Sequence, residues 1–206
     1  MSTDSDSTIE VTAERPDSVL HATGWDHVTL IGSNAADTIE FYRDVLGLPL
    51  VIRQPNLDRE EVEHLFFDAG DGRLVTFFVD ESRDSVPDQT PDIGAVHHLA
   101  FSIDPDELPA IRDRLIDAGH RVSEYDRGAF HSLYTHDHNG LVIELAADKF
   151  EIPDEHKAAV LARAHAARVA AGDEYIATEH LEAALAELDL SVEPYDLPDA
   201  ATGRDF

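Results

Sequence analysis

The sequence predicts an α+β fold built from two βαβββ modules and a C-terminal helical extension. Three observations carry this. One pattern occurs twice, opening as Gly24-Trp25-Asp26-His27-Val28-Thr29-Leu30 and again as Ala95-Val96-His97-His98-Leu99-Ala100-Phe101. Each opening is an apolar strand, followed by an amphipathic stretch and three further strand-like runs, a self-similarity at about 71 residues. Composition then changes after residue 150, where alanine-rich helical sequence begins. A length of 206 residues suits one sizeable core or two small fused modules, not two large domains.

Residues 1–22 are rich in Ser, Thr, Asp and Glu without periodicity and are expected to form a disordered acidic tail. The first module, 24–80, reads strand 25–32, helix 35–46 and strand 48–54, then strands 63–68 and 73–79 joined at Gly70-Asp71-Gly72. In its helix Ile39, Tyr42, Val45 and Leu46 recur at helical spacing, and Gly47 stops it at the C-cap. A polar linker, 81–93, carries Pro87 and Pro91. The second module, 94–150, repeats the order: strand 95–103, helix 105–118 ended by Gly119, and strands 121–126, 130–136 and 141–147. Leu108, Ile111, Leu115 and Ile116 are its expected buried helix face. The extension, 151–206, reads as a helix over Ala158–Ala171 and another from Thr178, where Thr178 is placed to cap.

The chain carries 43 acidic against 15 basic residues, a formal charge of −28, and its only lysines are Lys149 and Lys157. Such a balance excludes binding to nucleic acid or anionic membranes, which need basic residues to neutralise phosphate. The acids are spread along the whole chain, a pattern similar to cytoplasmic proteins of salt-accumulating halophiles. Cysteine is absent, which excludes disulfides, thiolate sites and cysteine nucleophiles. No run approaches a membrane span and the N-terminus is unlike a signal peptide, so a cytoplasmic location is expected.

Chemistry gathers at a few positions. Strand alternation places His27 on one face with Thr29 and Ile31, and Glu144 on one face with Val142 and Ala146. Glu144 sits inside Leu141-Val142-Ile143-Glu144-Leu145, and a carboxylate buried in an apolar strand needs a partner or a cation. If the modules pair their sheets, His27, His98 and Glu144 can converge. Two imidazoles and one carboxylate with open positions are the donor set of non-haem Fe(II) sites. His97 is the rival to His98, but alternation sends it to the opposite face.

These repeats resemble the paired modules of the vicinal-oxygen-chelate superfamily of glyoxalases, epimerases, bleomycin-resistance proteins and extradiol dioxygenases, over residues 24–150. The resemblance implies a curled mixed-sheet half-barrel around a metal held by His27, His98 and Glu144. Where glyoxalase-like members place a fourth Glu or Gln ligand, this chain has Arg73-Leu74-Val75-Thr76-Phe77-Phe78-Val79, leaving three ligands as in the dioxygenases. Tyr134 and Arg127, in Asp126-Arg127-Gly128-Ala129-Phe130-His131-Ser132-Leu133-Tyr134, stand at the spacings from Glu144 found in ring-cleaving dioxygenases of the hydroquinone type. The run His64-Leu65-Phe66-Phe67-Asp68-Ala69-Gly70 is similar to that group's first module. The chain departs from the group in having two modules where four are frequent, and Asp26 where a histidine is expected.

The resemblance implies an extradiol-type dioxygenase acting on a hydroquinone or catechol, with Fe(II), alternatively Mn(II), as cofactor and molecular oxygen as co-substrate. Tyr134 and Arg127 are its expected catalytic residues, and Thr29 and His131 its expected substrate contacts. A glyoxalase- or epimerase-like lyase, a fosfomycin-type transferase and a non-enzymatic aromatic-binding resistance protein are the alternatives. A small aromatic is the expected partner, and the resemblance favours a homodimer. His136 and His138 are expected to be exposed. In molar salt the Debye length is roughly 3 Å, enough to screen an acidic surface. Desalting is therefore expected to lower the melting temperature and reduce the far-ultraviolet circular dichroism; unchanged curves in dilute buffer would refute the halophilic reading.

Overall fold

A computed structural model describes residues 10–70 and 72–200. Residues 1–9 of the expected tail, Asp71 of the expected turn and residues 201–206 of the extension lie outside the described residues. Residues 10–26 are exposed and carry neither helix nor strand.

Two four-stranded mixed sheets follow. The first contains β1 (His27–Gly32), β2 (Leu50–Pro55), β3 (Glu63–Asp68) and β4 (Leu74–Val79), in the order β1-β4-β3-β2. The second contains β5 (His98–Ser102), β6 (Ser123–Asp126), β7 (Phe130–His136) and β8 (Val142–Asp148), in the order β5-β8-β7-β6. In each, the first strand runs parallel to the last and the other pairs are antiparallel. Neither sheet closes into a barrel, and the two expected βαβββ modules are present in order. β5 begins at His98, so His97 stands before the strand and the alternation expected to turn it away does not act on it.

Helix α1 (Ala35–Ile39) starts at Asn34, whose side chain accepts from the Asp37 amide, a standard N-cap. It continues as a π-helical turn over Glu40–Val45. The wider turn rotates both Phe41 and Tyr42 into the core, whereas Val45 and Leu46, expected to be buried, are half-buried. Helix α2 (Leu108–Asp117) follows a 3-10 turn at Pro105–Glu107. It buries Leu108 and Leu115, but Ile116 is 53% exposed. One residue past Leu115 is a rotation of about 100° around the helix, which carries Ile116 off the apolar stripe.

A single core runs through both modules, from Tyr42, Phe67 and Phe77 to Leu108, Leu133 and Ile143. The modules are also joined by polar bonds. Tyr42 donates its hydroxyl to Asp137 Oδ2 at 3.0 Å, and Asp137 Oδ1 accepts the amides of Asn139 and Leu141, each at 2.9 Å. Burial and the adjacent Asp137 carboxylate push the Tyr42 phenol well above its ordinary range. His138, expected in an exposed turn, is half-buried here because that turn packs on α1, with Nε2 near Asn139 and Thr38. His136 is exposed.

Helices α3 (Asp154–Ala171) and α4 (Thr178–Glu187) pack on each other around Val160, Ala164, Leu181, Ala184 and Leu185. The chain beyond α4 returns to the end of β8, where Tyr195 donates its amide to the Lys149 carbonyl at 3.0 Å and Glu151 donates to Glu193 at 3.1 Å. Ala177, not Thr178, is the N-cap of α4: its amide donates to His180 Nδ1 at 2.9 Å, while the Thr178 hydroxyl meets Lys149 Nζ. Among the described residues no helix is long and apolar enough to cross a membrane.

The loop between α3 and α4 touches the β6–β7 turn at Gly128. This residue has a φ of 80°, and a Cβ there would collide with the Ile176 carbonyl. Both the positive φ and the contact exclude a side chain. Gly128→Ala is expected to destabilise the protein by about 2 kcal/mol, a fall in melting temperature of about 4–8 °C. Hydrogen exchange should show the loss concentrated in residues 149–195; a uniform loss would contradict this contact as the cause.

Candidate functional site

Strand alternation in β8 sends Ile143 and Leu145 into the core and turns Glu144 to the other face with Val142 and Ala146. Register then chooses its neighbours. Glu144 lies opposite Tyr134 on β7 and opposite Ala100 on β5, so His98 is its diagonal neighbour across the parallel pair.

Glu144 is only 8% exposed, and both its oxygens are engaged. Tyr134 donates its hydroxyl to Oε1 at 2.8 Å, and His98 Nε2 lies 2.9 Å from Oε2. Arg127, from the β6–β7 turn, donates Nε–H to the Tyr134 oxygen at 3.1 Å. Its guanidinium also rests on the Tyr125 ring at 4.6 Å and the Tyr134 ring at 5.0 Å. His97 Nδ1 lies 2.9 Å from His98 Nδ1. A His98 tautomer with its proton on Nε2 accepts from His97 and donates to Glu144. Two donor chains thus converge on Glu144, one from Arg127 through Tyr134 and one from His97 through His98. Burial and the Glu144 carboxylate raise the Tyr134 phenol above its ordinary value, only partly offset by Arg127, so Tyr134 remains a donor.

The first sheet presents the same frame without the chemistry. Thr76 lies opposite Thr29 and Phe66, just as Glu144 lies opposite Ala100 and Tyr134. Thr76 thus occupies the place of Glu144, and Phe66 that of Tyr134. Thr76 is fully buried and donates to the Thr29 hydroxyl at 2.8 Å.

His27, the counterpart of His98, holds Asp26 Oδ1 with Nδ1 at 2.6 Å and keeps a half-exposed side chain. His64 stacks on Phe66 and Phe78, with ring centroids 3.9 and 4.5 Å away, and its Nε2 is buried without a partner. Burial, with a smaller contribution from His27, lowers its basicity.

The structure therefore brings His98, Glu144, Tyr134 and Arg127 together. His27 and Thr29 stand on the first sheet, outside this cluster. His131 lies elsewhere: it is 2% exposed on the opposite face of β7, bound to Glu124 Oε1 at 2.8 Å, and Glu124 is held in turn by Arg112. Three positions separate it from Tyr134, an odd number, which strand alternation turns to opposite faces. Among the described residues no three His, Asp or Glu side chains are close enough to hold one ion. The donors fit a metal in kind: His27, His98 and Glu144 form an N,N,O set, two of them already in contact, and Glu144 is a buried carboxylate.

Beside Glu144 lies a cavity of about 260 Å³. The open face of the second sheet forms its floor, and Leu161 of α3 and Leu181 of α4 form its opposite wall. The sequence of these helices carries no chemical motif. The one available signal was that both lysines of a strongly acidic chain fall at the end of β8 and the start of α3.

The family model described as the Glyoxalase/Bleomycin resistance protein/Dioxygenase superfamily matches residues 24–155. No curated protein matches the chain. A candidate dioxygenase from Bacillus subtilis is similar at 26% identity and TM-score 0.52, over 60% of this chain and 40% of that one. The present chain thus spans less than half the length of that protein. A glyoxalase family protein from Enterococcus faecalis is 20% identical with TM-score 0.50, over 60% of this chain and 97% of the other, a likeness of fold. The fosfomycin resistance protein FosX of Listeria monocytogenes, crystallised with Mn(II), gives 22% identity and TM-score 0.48 over 62% and 94%.

Because the Tyr134 pKa is raised, the bond from its hydroxyl to Glu144 is fully present below the ordinary phenol value of about 10 and is lost as pH rises through the higher folded value. Absorbance at 295 nm, taken as wild type minus Tyr134→Phe, is expected to show one phenol ionising above pH 10. An ordinary or depressed value would mean that the hydroxyl does not face Glu144.

Proposed function

The chain belongs to the glyoxalase/bleomycin resistance protein/dioxygenase superfamily, and from that membership we propose that it is a metal-dependent extradiol-type dioxygenase acting on a hydroquinone or catechol. The observation that carries the reading is the buried Glu144, gripped by His98 on one oxygen and Tyr134 on the other, with Arg127 on the same hydroxyl. Similarity to the Bacillus subtilis candidate dioxygenase supports it.

His27, His98 and Glu144 would hold Fe(II), or alternatively Mn(II). The metal would supply Lewis acidity toward a phenolate oxygen and a path for electrons between the ring and molecular oxygen, the co-substrate. Everything else falls to the chain's own side chains. Tyr134 keeps its proton through neutral pH and can donate it to an oxygen of a ring seated beside Glu144. Arg127 fixes the hydroxyl's direction and offsets negative charge that develops near it. The apolar wall from α3 and α4 limits water beside these groups. Thr29 would touch the substrate only from the first sheet. His131 faces away from Glu144, so its expected substrate contact is replaced by support of Glu124.

Two alternatives weigh differently. A lyase of the glyoxalase or epimerase kind needs an acid or base from the first module, and Thr76 stands where that acid would be. An aromatic-binding protein without catalysis is the second reading, favoured by His27 being paired with Asp26 and not with His98 and Glu144.

Metal analysis of protein purified without oxygen is the direct test. About one iron or manganese per chain is expected in the wild type, and a loss of 10–100-fold or more in affinity in Glu144→Ala and His98→Ala. Oxygen uptake with hydroquinones should follow. Metal content unchanged by either substitution would refute the site, and the absence of bound metal in any preparation would favour the binding protein.

A further inference from the structure

The cavity beside Glu144 has a composition that sorts ligands. Its floor is the open face of the second sheet, and Leu161 and Leu181 close it from the C-terminal helices. The family match ends at residue 155, so almost all of α3 and the whole of α4 lie beyond it. At about 260 Å³ the space exceeds the roughly 150 Å³ apolar cavity that accommodates benzene, which suits one ring with a few small substituents.

Charge is the second filter. Lys149 and Lys157, the only lysines of the chain, both line this cavity. Each is already paired with acids. Lys149 Nζ holds Asp126 at 2.7 Å and the Thr178 hydroxyl at 3.1 Å, and Lys157 Nζ holds Asp148 at 2.8 Å and Asp154 at 3.1 Å. The remaining ionic groups on the wall are Glu144 and Asp148, both acids. Counted with their partners, these groups are two cations, Lys149 and Lys157, against four acids, Glu144, Asp148, Asp126 and Asp154, so a carboxylated ring would add a fifth negative charge to an acidic surround.

We propose that the cavity between the second sheet and the α3–α4 pair seats an uncharged single-ring phenol and rejects its carboxylated analogue, and that the C-terminal helices set this selectivity. The ring class rests on the reading of Glu144 as the reaction centre, but the charge filter is measurable without turnover. Lys157 and Asp148 are its positioning pair: their mutual bond keeps the cation away from the ligand.

Anaerobic calorimetry on the full chain with its metal, in salt that keeps it folded, provides the test, with hydroquinone and 2,5-dihydroxybenzoate as probes. Lys157 and Asp148 are each about a third exposed, so the ratio is compared between wild type and variant at one fixed salt concentration. Hydroquinone is expected to bind at least about 30-fold more tightly than the carboxylate. Asp148→Asn frees Lys157 from its nearer partner and should narrow that ratio about tenfold. Leu161→Trp, which fills the space from the helix side, should weaken hydroquinone at least about tenfold without closing the ratio. Equal binding of the two probes, binding of neither, or a ratio unmoved by Asp148→Asn overturns the proposal. Selective binding without oxygen uptake upholds this inference while refuting the dioxygenase. Oxygen uptake without charge preference does the reverse.

Discussion

A carboxylate in the middle of an apolar strand is the constraint around which the second module is organised. Glu144 sits between core residues Ile143 and Leu145 and is itself 8% exposed. Left unpaired, such a group would be expensive to bury. The structure answers with two bonds, from Tyr134 and His98, and with Arg127 fixing the Tyr134 hydroxyl. These bonds tie β5, β7 and β8 to one point on the open face of the sheet. The same groups that make Glu144 tolerable make it useful, because they leave a carboxylate beside an imidazole at the edge of a cavity.

The duplicated frame is used unequally. Registers in the two sheets correspond residue for residue at the centre, yet Thr76 and Phe66 occupy the places of Glu144 and Tyr134. A buried threonine and a stacked phenylalanine stabilise the first sheet without offering a proton or a ligand. What the first module supplies is half of the common core, the Tyr42 hydroxyl that anchors Asp137, and His27 at the position matching His98. Burial of Tyr42 against a carboxylate keeps that joint protonated at any pH the protein is expected to meet.

The C-terminal extension covers the open face of the second sheet. Helices α3 and α4 are pinned by backbone bonds at Lys149 and Glu151 and by the close contact at Gly128, and they turn an open sheet face into a walled cavity. Leu161 and Leu181 line that cavity, and Lys157 pairs with Asp148 at its edge. A chain so acidic has few cations to deploy; placing both lysines here neutralises Asp126 and Asp148 beside the cavity.

Periodicity and glycine punctuation were enough to read the two modules, with strand ends displaced by at most three residues, because a buried face must recur at the period of its backbone. Gly47 and Gly119 end their helices at positive φ, as their positions implied. The resemblance singled out Tyr134 and Arg127, but only the register of β7 on β8 shows that Tyr134 pairs with Glu144. Ile116 and Thr178 depart from expectation for local reasons, a step of about 100° around a helix and a cap one residue earlier, whereas His138 departs because its turn packs on the distant α1. Contacts between distant segments were beyond any local pattern. Nothing in the sequence around Leu161 tells that it lines one cavity with Glu144, nor around Tyr42 that it meets Asp137. Short-range order determined the elements and which face each side chain takes. Only the packing of one element on another decided which of those faces meet, because that depends on the summed fit of the whole core and not on any single segment.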